Sequence, residues 1–209
     1  MDWIPASVAG AVLAGGASRR MGQDKAALVL GGETLLARVV RRLGAAVGEV
    51  FVVGPPERAA LVPGTRVVPD ARPGQGPLSG IYSALMATDA PFVFVVACDM
   101  PFLRPELIRY LASRALDCDI VVPRSARGTE QLHAVYGRAC LPAAAECLHA
   151  GELAVATLFG HVRTCFVEPA EWARYDPDGR AMFNANTAQD WQRVIAEVGS
   201  ETADKGADK

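Results

Sequence analysis

The chain has 209 residues, 51% hydrophobic and 21% charged, with a formal net charge of -2. That length suits one globular α/β domain that buries enough surface to fold without a staple, and the charge balance excludes a broad basic surface for nucleic acid. No apolar run reaches membrane length and no charged-then-apolar leader is present, so the sequence predicts a cytoplasmic protein that works without membrane or nucleic acid.

In chain order, Ser7–Leu13 is a small, apolar run ending in glycines, a buried-strand candidate. LAGGASRRMGQDKAAL follows, residues 13–28, where glycines meet Arg19, Arg20 and Lys25. Thr34–Val47 predicts a helix capped by Thr34, with Leu35, Leu36, Val39, Val40, Leu43 and Val47 on one face and Arg38, Arg41 and Arg42 on another. Val50–Val53 and Arg66–Val68 are strands closed by proline-containing turns. ARPGQGPLSG reads as a loop before a helix over Ile81–Met86.

Phe92–Ala97 is apolar without alternation, which predicts burial on both faces in a parallel sheet. Arg104–Ala115 is a helix with Pro105 in its first turn, Asp119–Val122 and Gln131–Tyr136 are strands, and Leu141–Ala150 is a helix. Thr164–Val167 is a further strand, and Thr187 opens a last helix with Asp190 at the capping-box position. The polar segment 199–209 is expected to be disordered, beyond a single domain over 1–198. Alternating strands and helices predict a three-layer α/β fold, a mostly parallel sheet with helices on both faces. Ligands of such sheets bind beyond the carboxyl ends of the strands, which puts the Gly15 loop, Asp70 and Asp99 at one edge.

Five cysteines without a CxxC pair suggest neither a disulfide framework nor a zinc site, and a reducing compartment is the expectation. His133, His149 and His161 lack metal-ligand spacing; surface or packing places are expected for His149 and His161, and His133 is given no chemical role.

Gly15 and Gly16 follow a strand, where missing side chains let backbone N–H groups approach an anion. Arg19, Arg20 and Lys25 add positive charge suited to phosphate. The plainer reading is a tight turn with solvated charges. The loop fits neither GxGxxG nor Walker A spacing. Asp99, directly after apolar strand residues, suits a Mg²⁺ ligand; a turn-initiating Asp before Met100-Pro101 is the alternative. Asp70 is either a turn cap or a second site carboxylate. Asn184 and Asn186, two apart, would point the same way in an extended segment and support phosphate or metal, or serve as turn and cap residues. No GxSxG elbow, HExxH or close His–Cys pair is present. The inventory suits phosphoryl or nucleotidyl transfer better than nucleophilic or zinc hydrolysis.

LAGGASRRMGQDK resembles the LAGGxSxRMGxDK signature of nucleotidyltransferases related to molybdenum cofactor guanylyltransferase. VVPD (67–70), GPLSGI (76–81), VVACDMPFL (95–103) and FNANTAQDW (183–191) continue the resemblance in the same order, over nearly the whole chain. The resemblance implies a nucleotide-diphospho-sugar-transferase-like, Rossmann-like fold. It also implies transfer of GMP from GTP to molybdenum-molybdopterin, with release of pyrophosphate. Carried over residue by residue, it puts Leu13, Ala14, Gly15, Gly16, Lys25, Asp70, Gly80 and Asp99 at GTP. It makes Asp99 the Mg²⁺ ligand and Arg19, Lys25 and Asp99 the catalytic residues, with Asn184 and Asn186 as phosphate or metal support. Its implied partners are GTP, molybdenum-molybdopterin, and molybdoenzyme chaperones or other cofactor-synthesis proteins. The alternatives are a molybdopterin cytidylyltransferase or another related nucleotidyltransferase, and a non-catalytic nucleotide-binding module. Two departures stand out: Gly54-Pro55 where relatives often show Asn, and Leu153-Ala154 where some carry basic residues.

Overall fold

The structure is a computed structural model that describes residues 7–16 and 24–204, with side chains through Val198. Its strands and helices run β1 (Val8–Leu13), β2 (Val29–Leu30), β3 (Glu33–Thr34), α1 (Leu35–Gly44), β4 (Val50–Val53), β5 (Arg66–Val68), α2 (Gly76–Met86) and β6 (Phe92–Ala97). They continue with α3 (Pro105–Ser113), β7 (Ile120–Ser125), β8 (Gly128–Thr129), β9 (His133–Gly137), α4 (Leu141–Ala150), β10 (Thr164–Val167), α5 (Pro169–Trp172) and α6 (Ala188–Asp204).

One eight-stranded sheet has the order β10-β7-β9-β6-β1-β4-β5, with β8 paired to β7. β6, β1, β4 and β5 are mutually parallel, and so are β10 and β7. β9 runs against both β6 and β7, which makes the sheet mixed but mostly parallel. β6 shows why its sequence lacks alternation. Phe94 and Val96 enter one apolar layer with Leu36, Val39 and Leu43 of α1 and Leu107, Ile108 and Leu111 of α3. Val93 and Val95 enter the other with Leu78, Ile81 and Leu85 of α2 and Ala144 and Leu148 of α4. Two buried faces favour continuous apolar strands, each burying a Val or Phe side chain worth roughly 1.5–3 kcal/mol. The expected three layers are present. None of the helices among the described residues is long and apolar enough to cross a membrane.

Four differences from the sequence reading have physical causes. First, α2 begins at Gly76, so GPLSG is helix and not loop. Pro77 sits in the first turn, where a missing N–H is harmless. Gly80 is buried, and a Cβ on it would lie 2.9 Å from Leu13 Cδ1; its glycine is demanded by helix–strand packing. Second, Arg38, read only as lying off the apolar face of the helix, is buried. It is 6% exposed, and its Nε donates to the Pro101 carbonyl at 3.1 Å, while Arg42 donates to the Leu103 carbonyl at 3.0 Å. Long cationic side chains can bury their stems and spend their donors on carbonyls, which a helical wheel does not reveal.

Third, Cys118 and Cys165 form a disulfide with Cα atoms 5.9 Å apart, so the expectation of unpaired cysteines fails at this pair. β10 pairs with β7 in parallel, setting Cys165 beside Val121, and Cys118 lies just upstream. Strand adjacency, not sequence spacing, made that pair. Fourth, α6 continues past Val198 to Asp204, into the segment expected to be disordered; residues 205–209 lie outside the described residues.

Candidate active site

The four parallel strands β6, β1, β4 and β5 end level with one another. Leu13 pairs with Ala97 on one side and Val53 on the other, and Val53 pairs with Val68. The ladder continues one residue further: Cys98 N donates to Leu13 O at 3.1 Å, Ala14 N to Val53 O at 2.8 Å, and Gly54 N to Val68 O at 3.0 Å. Ala14–Gly15, Gly54, Asp70 and Asp99 therefore emerge along one edge. The sequence-derived placement of the Gly15 loop, Asp70 and Asp99 matches this.

Gly15 and Gly16 are exposed. A Cβ on Gly15 would meet only Gly54 Cα at 3.9 Å, and a Cβ on Gly16 would meet nothing within 4 Å among the described residues. Among the described residues, packing does not require glycine at either place. Gly54 is different. A Cβ there would stand 3.1 Å from the Ala14 carbonyl carbon and oxygen, close enough that the Ala14 backbone would have to give by a few tenths of an ångström. Residues 17–23, with Arg19, Arg20 and Gly22, lie outside the described residues.

The far end of the loop returns at Asp24, whose Oδ1 caps the 3-10 turn Lys25–Ala27 by accepting from Ala26 N at 3.2 Å. Arg58 holds both ends. Its Nε donates to the Ala14 carbonyl at 3.1 Å, and its guanidinium pairs with Asp24. Sequence reading missed Arg58 because it sits in PERAAL with no local signature; only the return of the loop beside β4 gives it a task.

The 3-10 turn aims Lys25 at the strand edge. Its Nζ lies 3.2 Å from Asp99 Oδ2 and 2.9 Å from Asn186 Oδ1. The pair is largely shielded, with side chains 12% and 16% exposed. Ala185 N donates to the Asp99 carbonyl at 2.9 Å, so the FNANT segment is fastened beside the carboxylate by its backbone as well. Asp190 Oδ2 accepts from Asn186 N at 3.1 Å and Thr187 N at 2.8 Å, and Thr187 Oγ1 accepts from Asp190 N at 3.0 Å. This is the expected capping box, and it fixes Asn186 at the start of α6. Asn184 turns its Nδ2 back to the Met182 carbonyl at 3.3 Å.

Asp70 anchors α2. Its Oδ1 accepts from Arg72 N at 3.0 Å and Ser83 Oγ at 3.2 Å, and also from Ser79 Oγ. That describes a turn cap for one oxygen. The other, Oδ2, accepts no hydrogen bond from the described residues, as is true of Asp99 Oδ1. Burial pushes the Cys98 thiol up to about 12, with the neighbouring Asp99 carboxylate adding to the rise. A thiol held protonated at neutral pH is a poor nucleophile, so thiolate chemistry beside Asp99 is disfavoured.

Oxygen atoms of Asp99 and Asn186 around the Lys25 ammonium, at the strand edge where Gly15 and Gly16 are exposed, make the candidate site. A mostly parallel sheet flanked by helices, with such a site beyond its strand ends, has the architecture of a Rossmann-like nucleotidyltransferase. The chain belongs to the family described as MobA-like NTP transferase domain, whose family model matches residues 10–163. It is 42% identical over 190 residues to a probable molybdenum cofactor guanylyltransferase of Pelotomaculum thermopropionicum, covering 90% of this chain and 93% of the relative. It is 35% identical to a protein of the same description from Chloroflexus aggregans, covering 92% and 96%. The crystal structure of molybdopterin-guanine dinucleotide biosynthesis protein A from Archaeoglobus fulgidus matches with a TM-score of 0.80 at 25% identity, covering 92% of this chain and 99% of that one.

Proposed function

We propose that this chain transfers GMP from GTP to the terminal phosphate of molybdenum-molybdopterin, forming the guanine dinucleotide and releasing pyrophosphate. The observation that carries this reading is the Lys25–Asp99–Asn186 knot beside exposed Gly15 and Gly16, in a chain whose relatives are described as molybdenum cofactor guanylyltransferases.

The reaction balances without a protein nucleophile. An oxygen of the acceptor phosphate attacks the α-phosphorus of GTP and forms a new P–O–P bond. The bond from the α-phosphorus to the αβ-bridging oxygen breaks, and its electron pair leaves with pyrophosphate. The attacking oxygen is already anionic near neutral pH, so no general base is needed, consistent with His133 being buried away from solvent. The barrier is electrostatic: two polyanions must meet and charge must leave. Lys25 supplies a cation held in place by Asp99 and Asn186. Gly15 and Gly16 offer backbone N–H groups to the triphosphate.

The residues also fit Mg²⁺. Asp99 Oδ1 accepts no hydrogen bond from the described residues, and the carboxylate and amide oxygens present are the hard donors that this ion takes. Asp99 would hold it, with Asn184 and Asn186 in support. Bound there, Mg²⁺ supplies charge neutralisation of the phosphates and of the leaving pyrophosphate.

The test is nucleotide selectivity. Purified protein is given molybdenum-molybdopterin, Mg²⁺ and labelled GTP or CTP, and the dinucleotide and pyrophosphate are measured. GMP incorporation supports the reading. CMP transfer without GMP transfer makes the protein a cytidylyltransferase, and GTP binding without pyrophosphate release makes it a binding module.

A further inference from the structure

A second group of ligand-bearing side chains lies on α4 and the segment after it. Cys147 is 2% exposed and packs into the apolar layer between α4 and the sheet. α4 is capped by Gly151, in left-handed conformation at φ 76°. The amide of Glu152 then donates to the Cys147 carbonyl at 2.9 Å, a closing bond that sets Glu152 over the turn bearing Cys147. The chain next makes a 3-10 turn, Val155–Gly160, whose Val155 and Leu158 are buried in the same layer. His161 caps that turn, with its N–H on the Leu158 carbonyl at 3.1 Å. The result is one sulfur, one carboxylate oxygen and one imidazole nitrogen all within 4.8 Å of one another.

We propose that Cys147, Glu152 and His161 form a binding site for a borderline-soft divalent ion of the Zn²⁺ class, with water in the fourth position. The donor set selects the ion. A thiolate and an imidazole favour Zn²⁺ or Co²⁺ over Mg²⁺ and Ca²⁺, which take oxygen. The reach is also right. With metal–ligand bonds of about 2.0–2.3 Å at tetrahedral angles, two ligands on one ion stand about 3.3–3.8 Å apart. The atoms here are already within 4.8 Å. Closing the remaining gap, up to about 1.5 Å, falls to turns of the exposed Glu152 and His161 side chains. On binding, the metal–sulfur bond replaces S–H and the proton goes to solvent. Residue spacing carries no hint of this group because His161 is brought back by the 3-10 turn, not by a helical repeat.

The site has a structural consequence. β9 runs against β6, so α4 climbs back toward the carboxyl edge of the sheet. The Leu153 carbonyl stands 3.9 Å from where a Cβ on Gly76 would lie, at the first residue of α2. An ion held by Cys147, Glu152 and His161 would tie the turn 151–154, which lies near the start of α2, to α4 and to the end of the 3-10 turn. This site shares no residue with the Lys25–Asp99 knot and does not depend on the guanylyltransferase reading.

The probe is Co²⁺ alone, titrated into full-length protein stripped with a chelator. The expected result is one equivalent bound with a thiolate-to-cobalt charge-transfer band and the strong visible absorption of a four-coordinate site. Zn²⁺ should bleach both, and excess Mg²⁺ should not. Cys147→Ser should abolish the band. His161→Ala and Glu152→Gln should weaken Co²⁺ binding by more than the about 10–100-fold lost when a partner that merely hydrogen-bonds to a ligand is removed. Cys98→Ser and Cys140→Ser, at the other free cysteines, and His149→Ala should leave it unchanged. A wild-type protein without the band overturns the proposal, as does a band that survives Cys147→Ser or moves with Cys98→Ser. If Cys147→Ser does not fold, the surface substitution His161→Ala decides the matter by the same band.

Discussion

Asp99 and Asp176 are both carboxylates paired with cations, and they are held in opposite ways. Asp176 has a fully buried side chain and is satisfied on both oxygens: Oδ1 accepts from Arg104 Nε at 2.8 Å and Oδ2 from Ala181 N at 2.9 Å. Arg104 also grips both oxygens of Asp178 at 2.6 Å. Burial alone would raise the Asp178 carboxyl, yet Arg104 and Arg180 outweigh it and hold it below the usual range. Asp99 keeps one oxygen on Lys25 and turns a partly exposed side chain to the strand edge. A carboxylate whose acceptors are all taken fastens structure. One with an unused oxygen at a sheet edge has an acceptor left over from fastening.

The largest test of that contrast is Asp99→Asn. Pyrophosphate release should fall about 10²–10³-fold, by analogy with removing one transition-state contact, while the melting temperature changes little. Wild-type turnover would remove Asp99 from the site. A collapse in stability instead would make it a second Asp176. The converse is Asp176→Ala, which leaves Arg104 without its buried partner. We expect a loss of about 2–3 kcal/mol in urea unfolding. That lies at or below the lower end for a broken buried pair because Arg104 is about a third exposed and keeps Asp178. An unchanged urea midpoint would mean that saturation of acceptors does not mark a structural carboxylate here.

His133 sharpens the comparison from a third side, because it is as buried as Asp176 and has no hydrogen-bond partner on either ring nitrogen among the described residues. It packs edge-on to Phe94 with centroids 5.2 Å apart. Burial lowers its pKa to about 3. The unfolded chain therefore binds a proton that the folded chain refuses. Its effect on stability is absent above the unfolded value near 6.5 and grows as pH falls toward 3. Between pH 7 and pH 5 this one group should withdraw about 2 kcal/mol of stability. His133→Leu should remove that part of the pH slope in urea melts at the two pH values. A slope unchanged by the substitution would show that the imidazole finds a proton acceptor in the folded state.

Much of the fold was legible because it is periodic. Val50–Val53, Arg66–Val68, Leu141–Ala150 and Thr164–Val167 have the bounds that their apolar patterns suggest, and Thr34 caps α1 through the Ala37 amide at 3.2 Å. Short elements carried no usable period: the β2–β3 hairpin, β8 and α5 were not read. The site was legible where chemistry sits next to its strand, as with Asp99, or in a motif, as with Lys25 and Asn186. It was not legible where a side chain serves a distant backbone. Arg38, Arg42 and Arg58 all donate to carbonyls more than 40 residues away, and Cys165 reaches Cys118 across 47. Such contacts are set by tertiary adjacency, which no local window records.

The span of the Lys25–Asn186 bond, 161 residues, has a consequence for the birth of the protein. During synthesis the strands of the sheet emerge in order, and domains begin to fold from the N-terminus. Lys25 and Asp99 can meet early. The last oxygen around the ammonium arrives only when the segment before α6 has left the ribosome. Until then the nascent chain carries an ion pair without its final partner, so the complete Lys25–Asp99–Asn186 arrangement is a property of the finished chain.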